Sequence, residues 1–187
     1  RSPEVKANPI VFGETDPEGC PACQGPQNGY RNGTMYSSYT AAAFARKQAL
    51  ADKHGVNLEG ALTWAFEFED QPYFAGFRAL ASNGLDLPVL NVFRMFARMD
   101  GQRVATSSSA AVPLETMLTK GVRDRPDVAA IASRSARSLS ILVWHYHDDD
   151  LPGPDAAIEL TVRGLEQELA SSKMRHYRVH EQDRKAY

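Results

Sequence analysis

Apolar positions in the first half of the chain fall into two short runs separated by one long periodic stretch. Pro9-Ile10-Val11-Phe12-Gly13 has the length and texture of a buried strand and ends against Glu14. A loop dense in Gly, Pro and Asn follows as far as Thr34. From residue 35 to 54, Tyr36, Tyr39, Ala43, Phe44, Leu50 and Ala51 recur as one stripe of an amphipathic helix, and Gly55 suits the position just past its end. A second strand is predicted over 58–68, until Glu69-Asp70-Gln71-Pro72 breaks the run. Tyr73, Phe74, Phe77, Leu80 and Ala81 have helical spacing, and Asn83-Gly84 ends that helix. A further helix starts at Pro88, with Val89, Val92, Phe93 and Phe96 inward, and stops near Asp100-Gly101.

Beyond residue 101 the texture changes. Residues 103–109 fit a strand leading into a loop, and 128–132, 139–147, 156–162 and 174–179 are four short strand-like runs. Turn-rich segments at 133–138, 148–155 and 163–172 separate them, which suggests an antiparallel meander or half a sandwich. The expected organisation is α/β over 1–104, as strand–helix–strand–helix, followed by an all-β part over 105–187.

Composition narrows the function classes. The 187 residues hold one ordinary domain and fall short of the ~250 residues of a closed (β/α)8 barrel. Basic and acidic residues nearly balance, 21 against 23, and neither half is basic enough for a nucleic-acid footprint. No polybasic run suggests a membrane surface, and no apolar stretch approaches the ~18 residues of a membrane span. The opening residues lack an initiator Met and a signal-peptide pattern, so the sequence is expected to belong to a longer protein, with its compartment left open.

Three groups of residues carry candidate chemistry. Cys20 and Cys23 form one Cys-Pro-Ala-Cys, which fits a redox pair, half a zinc site, or structural thiols that form a local disulfide in an oxidising compartment. No second CxxC or HxxxH completes a zinc site, and the residues that follow read as loop rather than helix. His145-Tyr146-His147-Asp148-Asp149-Asp150 invites a metal reading, but it lacks a regular ligand spacing and is better described as a strand followed by a solvated acidic turn, so no metal is expected there. The third group sits where parallel strands end, the edge at which such folds place their sites. Glu14, Asp16 and Glu18 follow the first strand, and Trp64, Glu67, Glu69 and Asp70 lie in and after the second. Carboxylates and an indole around one cleft suit sugar chemistry: a carboxylate can attack or stabilise an oxocarbenium-like centre, and an indole packs on a pyranose face. The same residues also fit solvated loop carboxylates and a core Trp.

Several blocks in order resemble bacterial β-xylosidases of glycoside hydrolase family 39. They are Gly13-Glu14-Thr15-Asp16-Pro17-Glu18-Gly19-Cys20, Gln24-Gly25-Pro26-Gln27-Asn28, Tyr30-Arg31-Asn32-Gly33-Thr34, 57–66, Phe68-Glu69-Asp70-Gln71-Pro72, Phe74-Ala75-Gly76-Phe77-Arg78, 87–94 and 143–150. The resemblance runs from about Pro9 to about His180. It implies the last two βα units of a retaining (β/α)8 barrel, followed by a β-sandwich, and a reaction that needs no metal or organic cofactor. Glu14 matches the family's nucleophile at the end of the seventh strand, and Trp64 a Trp against the sugar after the eighth. Glu69 and Asp70 match acidic residues that hold sugar hydroxyls, with Glu67 a further match in the same loop.

The family's acid/base is a Glu in an Asn-Glu-Pro motif, which occurs nowhere in this chain. The resemblance therefore implies a piece that carries the nucleophile without its acid/base, and that needs the missing barrel strands or self-association as a partner. The expected substrate is a xylose-containing oligosaccharide. A relative acting on another β-linked pentose, an iduronidase-like relative acting on a uronic acid, and a non-catalytic carbohydrate-binding fragment are the alternatives.

Overall fold

The computed structural model describes residues 8–151, 153–165 and 172–181. The first strand, β1 (Ile10–Phe12), pairs in parallel with β2 (Leu58–Ala61), and the crossover between them is a short 3-10 helix (Pro26–Asn32) followed by the 21-residue α1 (Thr34–His54). Ala-rich composition favours α1. Gly55 closes it in the left-handed conformation at φ 61°, donating to the carbonyls of Ala51 and Asp52, with Lys53 and His54 on the negative end of the helix dipole. Two sides of α1 are covered. Ala41 and Ala42 lie in one core cluster, and Tyr36 lies in another with Ala79, Leu87 and Val89.

The expected strand over 58–68 ends at Ala61, three residues before Trp64, although Leu62 N still donates to Phe12 O and Thr15 N to Leu62 O. The helix expected over 73–81 does not form. That segment is an irregular loop with Phe74 and Gly76 at φ 52° and 91°, leading to a hairpin of β3 (Ala81–Ser82) and β4 (Leu85–Asp86). Asn83 and Gly84 have φ 47° and 78°, the positive pair of a type I′ turn, so the dipeptide that resembles a helix stop is a hairpin turn. The aromatics with helical spacing serve other ends: Phe77 stacks on Phe68 at 4.6 Å, while Tyr73 and Phe74 are exposed.

α2 (Pro88–Phe96) starts with its proline in the first turn and buries Val89 and Val92. An antiparallel sheet follows, in the order β5 (Gln102–Val104), β6 (Asp127–Arg134), β7 (Leu139–Tyr146). Between β5 and β6 lies α3 (Leu114–Lys120), a short helix absent from the sequence reading. Along β7, Leu142, Trp144 and Tyr146 are buried while Val143 and His145 face out, the period-2 pattern of a one-sided sheet. The buried face packs on α1 and α2, so Ala41, Ala42 and Val92 share a core with Val112, Val122, Ala129, Leu142 and Trp144 across position 105.

The runs at 156–162 and 174–179 form no strand among the described residues. Without a paired neighbour an extended segment has no ladder to join. The second is tied to the body by Arg98, whose guanidinium lies 4.8 Å from the Tyr177 ring centre. No helix among the described residues is long and apolar enough to cross a membrane.

Candidate active site

The parallel register sets Phe12 beside Ala61, so the chain leaves both strands at the same edge. Glu14 emerges two residues after β1, and Trp64 three residues after β2. Their side chains are 49% and 48% exposed. Between the two loops lies Arg78, only 2% exposed, which reaches back from the irregular segment. Its Nη2 stands 3.0 Å from Glu14 Oε1, a charge contact without hydrogen-bond alignment. Its Nε lies 3.2 Å from Asp16 Oδ2 and donates to the Trp64 carbonyl at 3.2 Å, and Nη1 donates to the Glu18 carbonyl. Backbone bonds hold the same residue, Arg78 N to Pro21 O and Ala65 N to Arg78 O. The peptide between Trp64 and Ala65 is cis.

Asp16, whose side chain is 4% exposed, takes hydrogen bonds on Oδ1 from Tyr36 and Thr63, each at 2.8 Å. Burial pushes the Tyr36 phenol well above its ordinary range, and the Asp16 carboxylate adds to the rise. Tyr36 therefore remains a neutral donor. Lys47 reaches from α1 to the Thr15 carbonyl at 3.1 Å and to its hydroxyl; desolvation lowers its pKa, opposed by the nearby Asp16. A polar layer thus lies directly under Glu14.

A second buried arginine braces the loop that follows. Arg31, fully buried, donates to the carbonyls of Cys20, Cys23 and Gly76 at 3.0, 3.3 and 3.1 Å and pairs with Glu18 at 2.8 Å. Cys20 and Cys23 form a disulfide, the local-bridge alternative for that motif. Tyr30 donates to Glu18, and burial first, then that bond, raises its phenol to about 12. Close approach explains Gly76 here: at φ 91°, a Cβ on it would lie 2.9 Å from Asn28 Cβ.

Of the strand-end residues singled out from the sequence, the structure brings Glu14, Asp16 and Trp64 together through Arg78. Glu67 turns elsewhere, its Oε1 accepting from Gly84 N at 2.5 Å, so that it caps the β3–β4 turn. Glu69 and Asp70 are exposed on the same loop, with Asp70 at φ 57°, and their carboxylates have no partner among the described residues. Trp64 meets Phe68 edge to face at 5.7 Å, which fixes the angle of the indole. An apolar recess beside Phe68, Phe74, Phe77 and Leu87 has room for about one water.

Arg78, Tyr36 and Thr63 are the residues the sequence reading missed, while Asp16, one of its strand-end carboxylates, is buried against them. One signal was available: Arg78 is a lone cation in an apolar run, Phe77-Arg78-Ala79-Leu80, which calls for a buried counter-ion. In the other acidic stretch, Asp148 accepts from Val122 N at 2.7 Å and from Tyr146 at 3.0 Å, and His147 Nε2 meets the Arg123 carbonyl at 2.8 Å. These side chains serve the fold. Among the described residues no group of three or more His, Cys, Asp or Glu is placed to hold a metal ion.

Comparison with known proteins supplies the family. Neither curated proteins nor solved structures gave a match. The family model for glycosyl hydrolases family 39 matches residues 2–174, nearly the whole chain. With its exposed carboxylate and indole at the shared edge of a parallel strand pair, the chain belongs to glycosyl hydrolases family 39.

Proposed function

We propose that this chain is the C-terminal part of a retaining exo-β-1,4-xylosidase acting on terminal β-linked xylose of xylo-oligosaccharides, with Glu14 as its nucleophile. The reading rests chiefly on Glu14, a half-exposed carboxylate at the edge of β1 and β2 beside a half-exposed Trp64. In this reading β1 and β2 are the last two strands of a (β/α)8 barrel, and the chain beyond residue 104 belongs to an accessory sandwich. One oxygen of Glu14 bonds to the anomeric carbon while the leaving oxygen takes the electron pair of the broken bond and a proton from an acid/base outside residues 1–187. That same group then activates water, which returns the carboxylate; the two groups stand ~5 Å apart in such a mechanism. Trp64 packs on the sugar, and Glu69 and Asp70, exposed and with no partner for their carboxylates among the described residues, accept its hydroxyls.

A neutral sugar suits the site better than a uronic acid. The cations next to Glu14 are engaged, Arg78 by Glu14 and Asp16 and Lys47 by Thr15, so neither is free for a substrate carboxylate. The missing Asn-Glu-Pro favours a second reading for residues 1–187 alone, a carbohydrate-binding fragment without turnover. The test uses a dinitrophenyl 2-deoxy-2-fluoro-β-xyloside, whose leaving group departs without acid catalysis. In the complete barrel the label maps to Glu14, and E14Q takes none; a label on any other residue rejects the assignment. Residues 1–187 alone are inactive on an aryl β-xyloside, and calorimetric titration with xylose reports whether they bind.

A further inference from the structure

We propose that Arg78 is a positioning residue for Glu14, holding one carboxylate oxygen so that the other is presented for attack; this rests on the reading of Glu14 as nucleophile. Glutamate carries three rotatable bonds, and a half-exposed one would otherwise sample many orientations. Among the described residues Glu14 Oε1 has a partner, Arg78 Nη2 at 3.0 Å, and Glu14 Oε2 has none. The asymmetry matches what a nucleophilic carboxylate needs: a fixed oxygen and a free one.

Arg78 can act as a fixed point because its own position is over-determined. Its guanidinium is tied to the Trp64 and Glu18 carbonyls, and its main chain to Pro21 and Ala65. Asp16 adds a second constraint at 3.2 Å, and Asp16 is pinned in turn by Tyr36 and Thr63. Asp16 also shares the cation's charge, so Arg78 does not neutralise Glu14 alone. The Nη2 contact lacks hydrogen-bond alignment, which makes it an orienting charge contact that leaves Glu14 electron density available to the anomeric carbon. The indole and the nucleophile hang from one guanidinium, through the Trp64 carbonyl and the Glu14 carboxylate, so the sugar platform and the attacking atom keep a fixed relation.

The experiment measures covalent trapping by the dinitrophenyl fluoro-xyloside in the complete barrel, for wild type, Arg78→Met and Arg78→Lys. The readouts are the rate constant of labelling, its half-saturation concentration and the final fraction of chains labelled at Glu14. Misplacing a reacting group by about 1 Å costs on the order of 100-fold in rate. Arg78→Met is expected to lose about that much in rate constant while still reaching full labelling. Arg78→Lys, which keeps a charge but loses the fork, is expected to recover about tenfold of it. A merely structural role would instead lower the labelled fraction and leave the rate constant of the folded chains unchanged, and that result overturns the proposal. If Arg78→Met fails to fold, Arg78→Lys decides alone, and a wild-type rate constant in it overturns the proposal. Wild type labelled at Glu14 with unchanged variants removes the positioning role and leaves the nucleophile standing. Wild type labelled elsewhere removes both.

Discussion

Replacing Asp127 by alanine tests whether the C-terminal sheet and α1 fold as one body. Asp127 is fully buried at the start of β6. Its Oδ1 accepts from Val112 N and from Arg46 of α1, each at 2.7 Å, and its Oδ2 accepts from the Trp144 indole of β7 at 2.8 Å. Asp127→Ala leaves two buried N–H donors without acceptors, at about 1–3 kcal/mol each. Arg46 loses its counter-ion but keeps a 22% exposed side chain that can turn to water, so its share is small. The losses share one site and do not simply add, which places the total at about 3–5 kcal/mol. Asp127→Asn keeps one good acceptor and is expected to lose about half as much. Urea unfolding followed by tryptophan emission is the assay, because Trp144 is buried whereas Trp64, the second of two tryptophans, is half exposed. A blue-shifted component that leaves with an earlier midpoint in Asp127→Ala is the expected outcome. A variant within about 0.5 kcal/mol of wild type would refute the view that this carboxylate ties α1 to the sheet.

Two further predictions concern the loop below Glu14 and the buried phenols. Reducing the Cys20–Cys23 bond opens a ring of four residues, and loop-closure entropy for so short a ring gives a loss of about 2 kcal/mol; thermal melts with and without a dithiol reductant measure it, and equal midpoints would count against a bond that constrains this loop. Tyr30, Tyr36, Tyr39 and Tyr146 all have raised pKa values with burial as the first cause, Tyr30 to about 12. An unfolded phenol ionises near 10 while these stay neutral, so their contribution to stability is complete below pH ~10 and is lost as pH rises toward the folded value. Absorbance titration at the phenolate band should find four of the seven tyrosines lagging until the chain unfolds; ionisation of all seven together near pH 10 would contradict the burial.

What could be read from the sequence follows the reach of the forces involved. The strand before Glu14, the long helix and the strand from Leu58 were legible because each has its own periodicity and stop signal, Gly55 among them. The alternation along β7 was equally local. The segment 62–80 was not legible, because its shape comes from distant partners: Ala75 O accepts from Gly25, Phe74 O from Asn32, and Phe66 O from Leu80 and Ala81. Without those partners, aromatics at helical spacing look like a helix. The α3 helix was missed because its seven residues bury none of their own side chains fully and so show no clear stripe. At the site, Glu14 and Trp64 could be located as strand-end residues. Glu67 could not be told from Glu69, since only the turn at Gly84 sets it apart. Arg78 lies 64 positions from Glu14, and no local pattern carries that distance.

The polar layer beneath Glu14 is hard to explain as a stabilising device. Taking Arg78 and Asp16 out of water costs several kcal/mol per ion, and their attraction roughly offsets that at best, so apolar residues of similar volume would hold the fold as well. Arg31 poses the same question, although it meets Glu18, Cys20 and Cys23 of one loop and Gly76 of another, and so acts as a local core where the chain is too irregular to form one. Arg78 differs in where its last donor points. Three of its contacts are inward, to Asp16, the Glu18 carbonyl and the Trp64 carbonyl, and the fourth faces the half-exposed Glu14 at the open edge of β1 and β2. An arginine used only to fill the interior would be expected to spend that donor on a buried acceptor as well. Orientation of the half-exposed Glu14 carboxylate accounts both for the buried cation and for the direction of its remaining arm.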